Sequence, residues 1–226
     1  MHGLRSDRDM DTLSVSELFV SIQGESLAAG RLCAFVRLAG CNLRCAYCDT
    51  KYAWEADAGR AMPVEDIAAW VSRSGVPLVE ITGGEPLLQP SVYRLMEDLV
   101  GRGLEVLLET NGHVDAGAVP QKVTRIIDIK TPGSGMAEGN YLVNLPFLRA
   151  NDQIKFVLTG RSDYEWAKGI LASHPELAST AAILFSPAFG ILDPRDLAEW
   201  IIADRLPVRF QLQLHKYVWE PDRRGV

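Results

Sequence analysis

The chain has 226 residues, 47% of them hydrophobic, and carries 23 Lys and Arg against 29 Asp and Glu. This length suits one soluble domain with a large core, but it is short of the ~250 residues of a complete eight-fold β/α barrel. The formal net charge of −6 argues against nucleic acid as a partner, because binding to a phosphate backbone relies on clustered Lys and Arg.

The sequence shows no sign of membrane insertion or export. No stretch approaches the ~18 consecutive apolar residues of a membrane span, so we expect no membrane partner. The opening residues mix aspartates with arginines and lack the apolar region of a signal peptide, which predicts a cytoplasmic protein. We expect residues 1–11 to form a frayed tail and residues 12–226 to form a single domain, since no linker divides them.

Short apolar runs alternate with segments of helical period along the rest of the chain. The runs predict an edge strand and then seven buried strands, over residues 14–22, 33–38, 78–82, 104–109, 124–130, 153–158, 181–185 and 208–214. Helices with recognisable start signals are predicted over residues 67–72, 92–101, 163–172 and 195–203. The buried strands start about every 29 residues, close to the ~31 of a full barrel. We therefore predict an α/β fold with mostly parallel strands, an incomplete six-unit (β/α) barrel of the TIM type.

The four cysteines lie within one 16-residue window, and such clustering in an intracellular chain indicates metal or redox chemistry. Cys41, Cys45 and Cys48 follow the first parallel strand, separated by three and then two residues. One loop can aim three thiolates at an iron–sulfur cluster, and a [4Fe-4S] cluster with three protein ligands leaves one iron open to a small molecule. Cys33 lies inside a strand, where we expect a buried core residue.

A four-cysteine structural zinc site is the alternative interpretation of this window. Zinc ligands usually come as two short pairs separated by a longer span, and they close the coordination shell. The chain has one three-cysteine run and no second pair, which favours the iron–sulfur interpretation. A non-catalytic zinc or iron–sulfur binding module remains an alternative function.

Polar and glycine-rich segments follow the later strands, at the end where barrel chemistry collects. Residues 82–86 read Thr-Gly-Gly-Glu-Pro, in which the glycines allow close approach of a ligand and the carboxylate can accept hydrogen bonds from an ammonium group. Residues 109–112 end the third strand, Asp128 and Lys130 end the fourth, and Ser186 follows the sixth. All of these groups are therefore predicted at one rim of the sheet.

The CxxxCxxC run, with Tyr47 before its last cysteine, resembles the signature of the radical S-adenosylmethionine superfamily. The resemblance implies that Cys41, Cys45 and Cys48 hold a [4Fe-4S] cluster whose open iron chelates the amine and carboxylate of S-adenosylmethionine. It also implies that the S-adenosylmethionine site includes Tyr47, Gly83, Gly84, Glu85, Asp128, Lys130 and Ser186.

Segments outside that run are similar to a narrower family. They read SIQGES at 21–26, FVRLAGC at 35–41, CDT at 48–50, TGGEPLLQ at 82–89 and QLQLHKY at 211–217. Together they resemble the 7-carboxy-7-deazaguanine synthase family, in pieces from about residue 14 to residue 221. The resemblance implies conversion of 6-carboxy-5,6,7,8-tetrahydropterin to 7-carboxy-7-deazaguanine with loss of ammonia, in queuosine and deazapurine biosynthesis. It implies as partners an electron donor such as a flavodoxin or ferredoxin, and a second copy in a homodimer.

The residue types in these segments suit the family's substrate. A carboxylate and an amide can read its pyrimidine edge, and an arginine fork can grip its carboxylate. The resemblance assigns to the substrate Ile22, Gln23, Gly24, Glu25, Arg37, Thr82, His215 and Pro221. His215 is predicted on the alternating last strand. The chain departs from the family by continuing for five residues after Pro221.

The resemblance further implies that Thr50 binds Mg²⁺, an ion that commonly keeps several water and substrate ligands. The closest alternative in the superfamily is an activase of a glycyl-radical enzyme, which shares the cysteine loop and a TGGEP-like segment. An activase needs a groove for a protein loop, whereas Gln23, Glu25 and Arg37 suit a small molecule.

Overall fold

One nine-stranded sheet runs through the part of the chain that the computed structural model describes, residues 11–138 and 141–226. Residues 1–10 of the predicted tail lie outside the described residues. The strands are β1 Thr12–Ile22, β2 Leu32–Leu38, β3 Arg60–Pro63, β4 Leu78–Gly83, β5 Glu105–Thr110, β6 Thr124–Asp128, β7 Gln153–Leu158, β8 Ala182–Pro187 and β9 Arg209–Phe210. The α-helices are α1 Val64–Ser74, α2 Ser91–Gly101, α3 Arg161–Ser173, α4 Pro194–Asp204 and α5 His215–Val218.

The sheet is open and mostly parallel. Its order is β3-β1-β2-β4-β5-β6-β7-β8-β9, in which each neighbouring pair from β2 onward is parallel. β1 pairs antiparallel with both β2 and β3, so β3, which the sequence pattern did not indicate, lies outside the predicted edge strand. The predicted α/β class is therefore confirmed. Within the described ranges, no helix has the length and apolar character needed to cross a membrane.

The longer helices start and stop where local chemistry favours it. α1 follows Pro63 and carries Glu65 and Asp66 in its first turn, where acidic groups interact favourably with the helix dipole. It ends at Gly75, whose φ of 70° lies in the left-handed region. At α4, the Asp193 side chain accepts a hydrogen bond from the Arg195 backbone N–H at 2.8 Å and so caps the first turn.

Helices cover one face of the sheet and leave the other for a site. One apolar cluster joins α1 and α2 to β2, β4 and β5 around the fully buried Leu95. A second joins α3 and α4 to β7 and β8 around Phe156 and Phe185, whose ring centroids are 5.3 Å apart. Because strand side chains alternate between faces, the residues between these apolar positions point to the opposite face.

The alternation of strands and helices is interrupted in the middle of the chain, where the sequence predicted no helix. In the described residues, no α-helix connects β5 to β6 or β6 to β7, and short 3-10 turns at Pro132–Ser134 and Tyr141–Phe147 occur after β6. The fully buried Arg125 side chain of β6 lies among these connections. Its guanidinium donates to both carboxylate oxygens of Asp152 and to the Ala116 carbonyl, so one buried ion pair ties the two connections to the sheet.

The last predicted strand is also much shorter than expected. β9 covers only Arg209–Phe210, and His215 begins the short helix α5 instead of lying on an alternating strand. The reason is that the segment leaves β8 after the Gln211 N–H, which donates to the Phe185 carbonyl, and then binds the loop after β1. The Gln211 amide donates to the Ser26 carbonyl at 3.0 Å, and the Leu214 N–H donates to the Gly24 carbonyl at 3.0 Å.

Replacing Asp152 with Ala should lower the free energy of unfolding by about 3–5 kcal/mol, because the Arg125 guanidinium would stay buried without a counter-charge. Urea denaturation followed by circular dichroism measures this change. Asp98→Ala is the matched control, since it breaks the half-exposed pair with Arg102 and should cost below about 1 kcal/mol. Equal losses in the two variants would contradict the prediction.

Candidate active site

A cavity of about 240 Å³ lies at the carboxyl ends of the parallel strands. Its walls come from these strand ends, the cysteine loop, the segment after β1 and residues 213–226. All but two of the predicted site residues line it, namely Ile22, Gln23, Gly24, Glu25, Arg37, Cys41, Cys45, Tyr47, Cys48, Thr50, Thr82, Gly83, Gly84, Asp128, Lys130, His215 and Pro221. Glu85 and Ser186 are buried beside it and do not line it.

The strand side chains that face the cavity form two layers. An apolar cluster contains Cys33, Leu78, Leu107 and Ile126. Two residues further along each strand, on the same face, the side chains are polar or aromatic: Phe35, Glu80, Glu109 and Asp128. Cys33 is 0% exposed in the apolar layer, which confirms its predicted burial and separates it from the other three cysteines.

The cysteine loop is fixed by backbone hydrogen bonds on both sides. The Cys41 N–H donates to the Trp54 carbonyl at 2.8 Å, and the Ala46 N–H donates to the Ser134 carbonyl at 2.9 Å. Cys41, Cys45 and Cys48 are free thiols that all line the cavity. Burial raises the pKa of the Cys41 and Cys45 thiols, so loading of a cluster must be accompanied by loss of their protons.

The glycines after β4 bring two backbones together. A Cβ atom on Gly84 would lie 2.1 Å from the Gly40 carbonyl oxygen, so only glycine allows this approach. The Glu85 N–H donates to the same Gly40 carbonyl at 2.7 Å, directly before Cys41. The Glu85 carboxylate accepts from the Leu87 and Asn111 N–H groups and from the Thr110 hydroxyl. In this structure Glu85 therefore fixes the loop after β5, and its predicted contact with an amine stays a prediction.

Several predicted cofactor residues carry buried oxygens that have no hydrogen-bond partner. Across the described ranges, the side chains with such atoms are Ser21, Tyr47, Asp128, Ser186 and Gln211. Three of these five belong to the predicted S-adenosylmethionine site. Buried polar atoms are nearly always paired, so the Tyr47 hydroxyl, Asp128 Oδ1 and Ser186 Oγ fit a site that receives a polar ligand. Lys130 adds a cation there, 2.6 Å from Asp128 Oδ2.

The predicted substrate residues are held from behind by side chains of the sheet. The Gln23 amide donates to Glu80, and its oxygen accepts from the Glu25 backbone N–H. The Lys155 ammonium binds Glu25 Oε2 at 3.0 Å and also binds Glu109. The Gln23 side-chain nitrogen is therefore the donor and its oxygen the acceptor. The Lys155 ammonium favours the charged form of the Glu25 carboxylate.

His215 reaches this group through the segment that follows β9. A Cβ atom on Gly24 would lie 2.3 Å from His215 Nδ1, so glycine at this position makes room for the imidazole. The Gln213 amide donates to Glu25 Oε1 at 3.0 Å. Burial lowers the pKa of the His215 imidazole, which favours its neutral form.

Thr50 and Arg37 also line the cavity, each next to a carboxylate. The Thr50 hydroxyl donates to Asp49 Oδ1 at 2.9 Å, and Lys216 lies 2.6 Å from Asp49 Oδ2. Arg37 Nε donates to Glu17 Oε2 at 3.1 Å. Both side chains therefore have a carboxylate partner where they line the cavity.

Sequence reasoning missed the polar residues in the middle of the strands. Glu80 and Lys155 occur within apolar runs that read LVEIT and QIKFVL. A charged side chain within a buried strand is rare unless it is paired, so this pattern was the available signal. Glu17 lies in a segment whose pattern marks no function, and only the fold brings it to the site. Glu109 and Asn111 belong to residues 109–112, which were predicted at this rim, and both line the cavity.

The fold and the cysteine loop define the class of protein. The sequence profile of the Radical SAM superfamily matches residues 36–132, from β2 through the cysteine loop to the turn after β6. A 7-carboxy-7-deazaguanine synthase of Chlorobaculum tepidum is 50% identical, covering 95% of this chain and 97% of that protein. One of Koribacter versatilis is 42% identical, covering 95% of this chain and 100% of that protein. The chain belongs to the 7-carboxy-7-deazaguanine synthase family, a group of radical S-adenosylmethionine lyases.

A solved structure agrees with this assignment. The crystal structure of QueE from Escherichia coli is 26% identical in sequence and superposes with a TM-score of 0.73. The match covers 92% of this chain and 96% of that one, so the likeness extends over nearly the whole chain.

Replacing Glu80 with Gln should flatten the dependence of stability on pH. Burial, followed by the nearby Glu109 carboxylate, raises the pKa of Glu80 from 4.5 to about 8. Between these two values the folded state keeps a proton that the unfolded state releases, so the free energy of unfolding should fall as pH rises. Glu80→Gln keeps an acceptor for Gln23 and cannot ionise. Urea denaturation at about pH 5 and about pH 8 tests this, and parallel profiles for both proteins would refute it.

Proposed function

We propose that this chain is a carbon–nitrogen lyase that converts 6-carboxy-5,6,7,8-tetrahydropterin to 7-carboxy-7-deazaguanine with loss of ammonia. One observation carries the proposal: a single cavity is lined by the three-cysteine loop together with Gln23, Glu25 and Arg37. The relatives that match over nearly the whole chain carry the name of this activity. The product is a deazapurine, which places the reaction in queuosine biosynthesis.

The residues of the cavity fit a [4Fe-4S] cluster and S-adenosylmethionine. Cys41, Cys45 and Cys48 would hold the cluster, and Cys33 is too deeply packed to complete a four-cysteine zinc site. The buried unpaired oxygens of Tyr47, Asp128 and Ser186 would receive S-adenosylmethionine together with Lys130, Gly83, Gly84 and Glu85. When bound, the two groups supply one-electron chemistry that starts from reductive cleavage of the sulfonium.

The protein's own part is to bind and orient the pterin. The Glu25 carboxylate accepts hydrogen bonds from the donor-rich pyrimidine edge, and Gln23 and Thr82 hold the ring in register with it. The Arg37 terminal amino groups bind the substrate carboxylate at the opposite end. Ile22, Gly24, His215 and Pro221 complete the walls and exclude water from the reacting atoms.

We further propose that Thr50 binds Mg²⁺ together with the substrate and water. The Thr50 hydroxyl lines the cavity beside Asp49, and oxygen ligands of this kind are the ones that Mg²⁺ prefers. When bound, the ion would supply positive charge next to the substrate during ring contraction. The Asp49 carboxylate fixes the hydroxyl through their 2.9 Å hydrogen bond.

The wider organisation follows the family. We propose that residues 12–226 form a single domain, an incomplete (β/α) barrel whose open side admits the cluster, the nucleoside cofactor and the pterin together. The open sheet and the contacts between the 22–26 and 211–215 segments support this arrangement. We also propose a cytoplasmic homodimer that receives electrons from a flavodoxin or ferredoxin.

Turnover by the anaerobically reconstituted and reduced protein tests the function. With 6-carboxytetrahydropterin, S-adenosylmethionine and Mg²⁺, we expect mass spectrometry to detect 7-carboxy-7-deazaguanine. Cys45→Ala should abolish both turnover and the iron–sulfur absorbance, because it removes one of three ligands. Cys33→Ala is the matched control and should keep both, since Cys33 lies in the apolar layer.

Different failures of this experiment have different meanings. Release of 5′-deoxyadenosine without the deazapurine would support the superfamily assignment and contradict the substrate assignment. If reconstitution yields a colourless zinc protein that does not cleave S-adenosylmethionine, the enzyme assignment is wrong.

Thr50→Val should raise the Mg²⁺ concentration needed for half-maximal turnover about tenfold or more, because the hydroxyl ligand is lost while the volume is kept. Iron content should stay at the wild-type level, and Thr50→Ser should restore the Mg²⁺ response. A Mg²⁺ titration of initial rates measures the effect. Superimposable titrations of Thr50→Val and wild type would show that Thr50 does not bind the ion.

A further inference from the structure

Glu17 on β1 lies at the centre of a contact between two arginines that are far apart in sequence. Its Oε2 accepts from Arg37 Nε at 3.1 Å and from the Tyr52 hydroxyl at 2.8 Å. Its Oε1 accepts from Arg224 Nε at 3.0 Å. The Glu17 side chain is only 13% exposed, so this carboxylate is a fixed anchor for both guanidinium groups.

Both arginines contact Glu17 through Nε, which leaves their terminal amino groups available to a ligand. Each donates to Glu17 through Nε, and neither has a recorded protein acceptor for its terminal amino groups in the described ranges. Arg37 and Arg224 both line the cavity. Arg37 and Arg224 share the single carboxylate of Glu17, and nearby Asp49 is itself paired with Lys216, so one guanidinium charge stays in excess among these five groups, which suits a bound anion.

An aromatic ring lies near each of the two guanidinium groups. The Arg224 guanidinium carbon lies 3.8 Å from the centroid of the Tyr52 ring, and that of Arg37 lies 5.7 Å from the Phe19 centroid. A stacked guanidinium keeps its terminal amino groups free for a planar, two-pronged contact with a carboxylate. The geometry is therefore prepared before any ligand arrives.

We propose that Arg224 is a second binding residue for the substrate carboxylate. Arg37 and Arg224, both anchored on Glu17, present their terminal amino groups to this carboxylate from two sides. The inference rests on the proposed function, because that function supplies a substrate with a carboxylate at one end. It also gives a role to the residues after Pro221, where this chain departs from the family pattern.

Equilibrium binding to the cluster-loaded protein tests the proposal with two probes, 6-carboxytetrahydropterin and the same pterin without its carboxylate. Arg224→Gln should weaken binding of the carboxylated pterin about tenfold, because a charge-assisted hydrogen bond is lost at a half-exposed wall. Binding of the second probe should stay unchanged. Turnover should show the same loss as a raised KM with little change in kcat.

Two further variants make the result specific. Arg224→Lys keeps the charge without the fork, so it should restore only part of the affinity. Arg195→Gln removes the same charge from an exposed position on α4 outside the cavity and should bind both probes as the wild type does. Circular dichroism and iron content of each variant establish that the fold and cluster are intact.

The outcomes separate the inference from the function on which it rests. Equal weakening of both probes by Arg224→Gln would mean that Arg224 only closes the cavity, and unchanged binding of both would mean that it does not act on the substrate. Either result overturns the inference and leaves the function standing. If the wild-type protein does not bind the carboxylated pterin, the proposed function itself fails.

Discussion

The arrangement of the cavity depends on the buried ammonium of Lys155. Its side chain is 6% exposed, and burial of an unpaired cation would be prohibitive, so carboxylates must surround it. These come from three separate parts of the chain: Glu25 after β1, Glu109 on β5 and Asp128 at the end of β6, which lies 3.9 Å away. One ion group therefore sets the position of the predicted substrate side relative to the predicted cofactor side.

Two glycines that allow close contacts also fix the spacing of the cavity walls. Gly84 lets the turn after β4 lie against Gly40, which fixes the start of the cysteine loop. Gly24 lets His215 close over the segment that carries Gln23 and Glu25. The contact of Gly84 with Gly40 joins two backbones and has little freedom to shift, because no flexible side chain separates them. The cavity is thus bounded by walls whose spacing is set before a ligand binds, which is what positioning of a reactive substrate requires.

What could be predicted from the sequence was what local patterns encode. The parallel strands follow from apolar runs, and the cysteine loop follows from its own spacing. The failures involve contacts between distant segments: QLQLH alternates like a strand, but its glutamines bind residues 25 and 26, so β9 ends early. The sequence motif of Glu85 likewise did not reveal that its oxygens accept from Thr110 and Asn111 at the next strand end. Pairing of Glu80, Glu109 and Lys155 depends on which strands are neighbours, which no single run reveals.

In the proposed function, the charged groups of the cavity would set the orientation of the substrate. The Glu25 and Glu109 carboxylates are ion-paired with Lys155, whereas Arg37 and Arg224 share the Glu17 carboxylate. A pterin with hydrogen-bond donors at one edge and a carboxylate at the other would satisfy both groups in one direction only. In the reverse direction its carboxylate would meet acceptors whose charge Lys155 already balances, and its donors would face guanidinium groups that accept no hydrogen bonds. Mismatch in the wrong orientation would thus contribute to specificity alongside attraction in the right one.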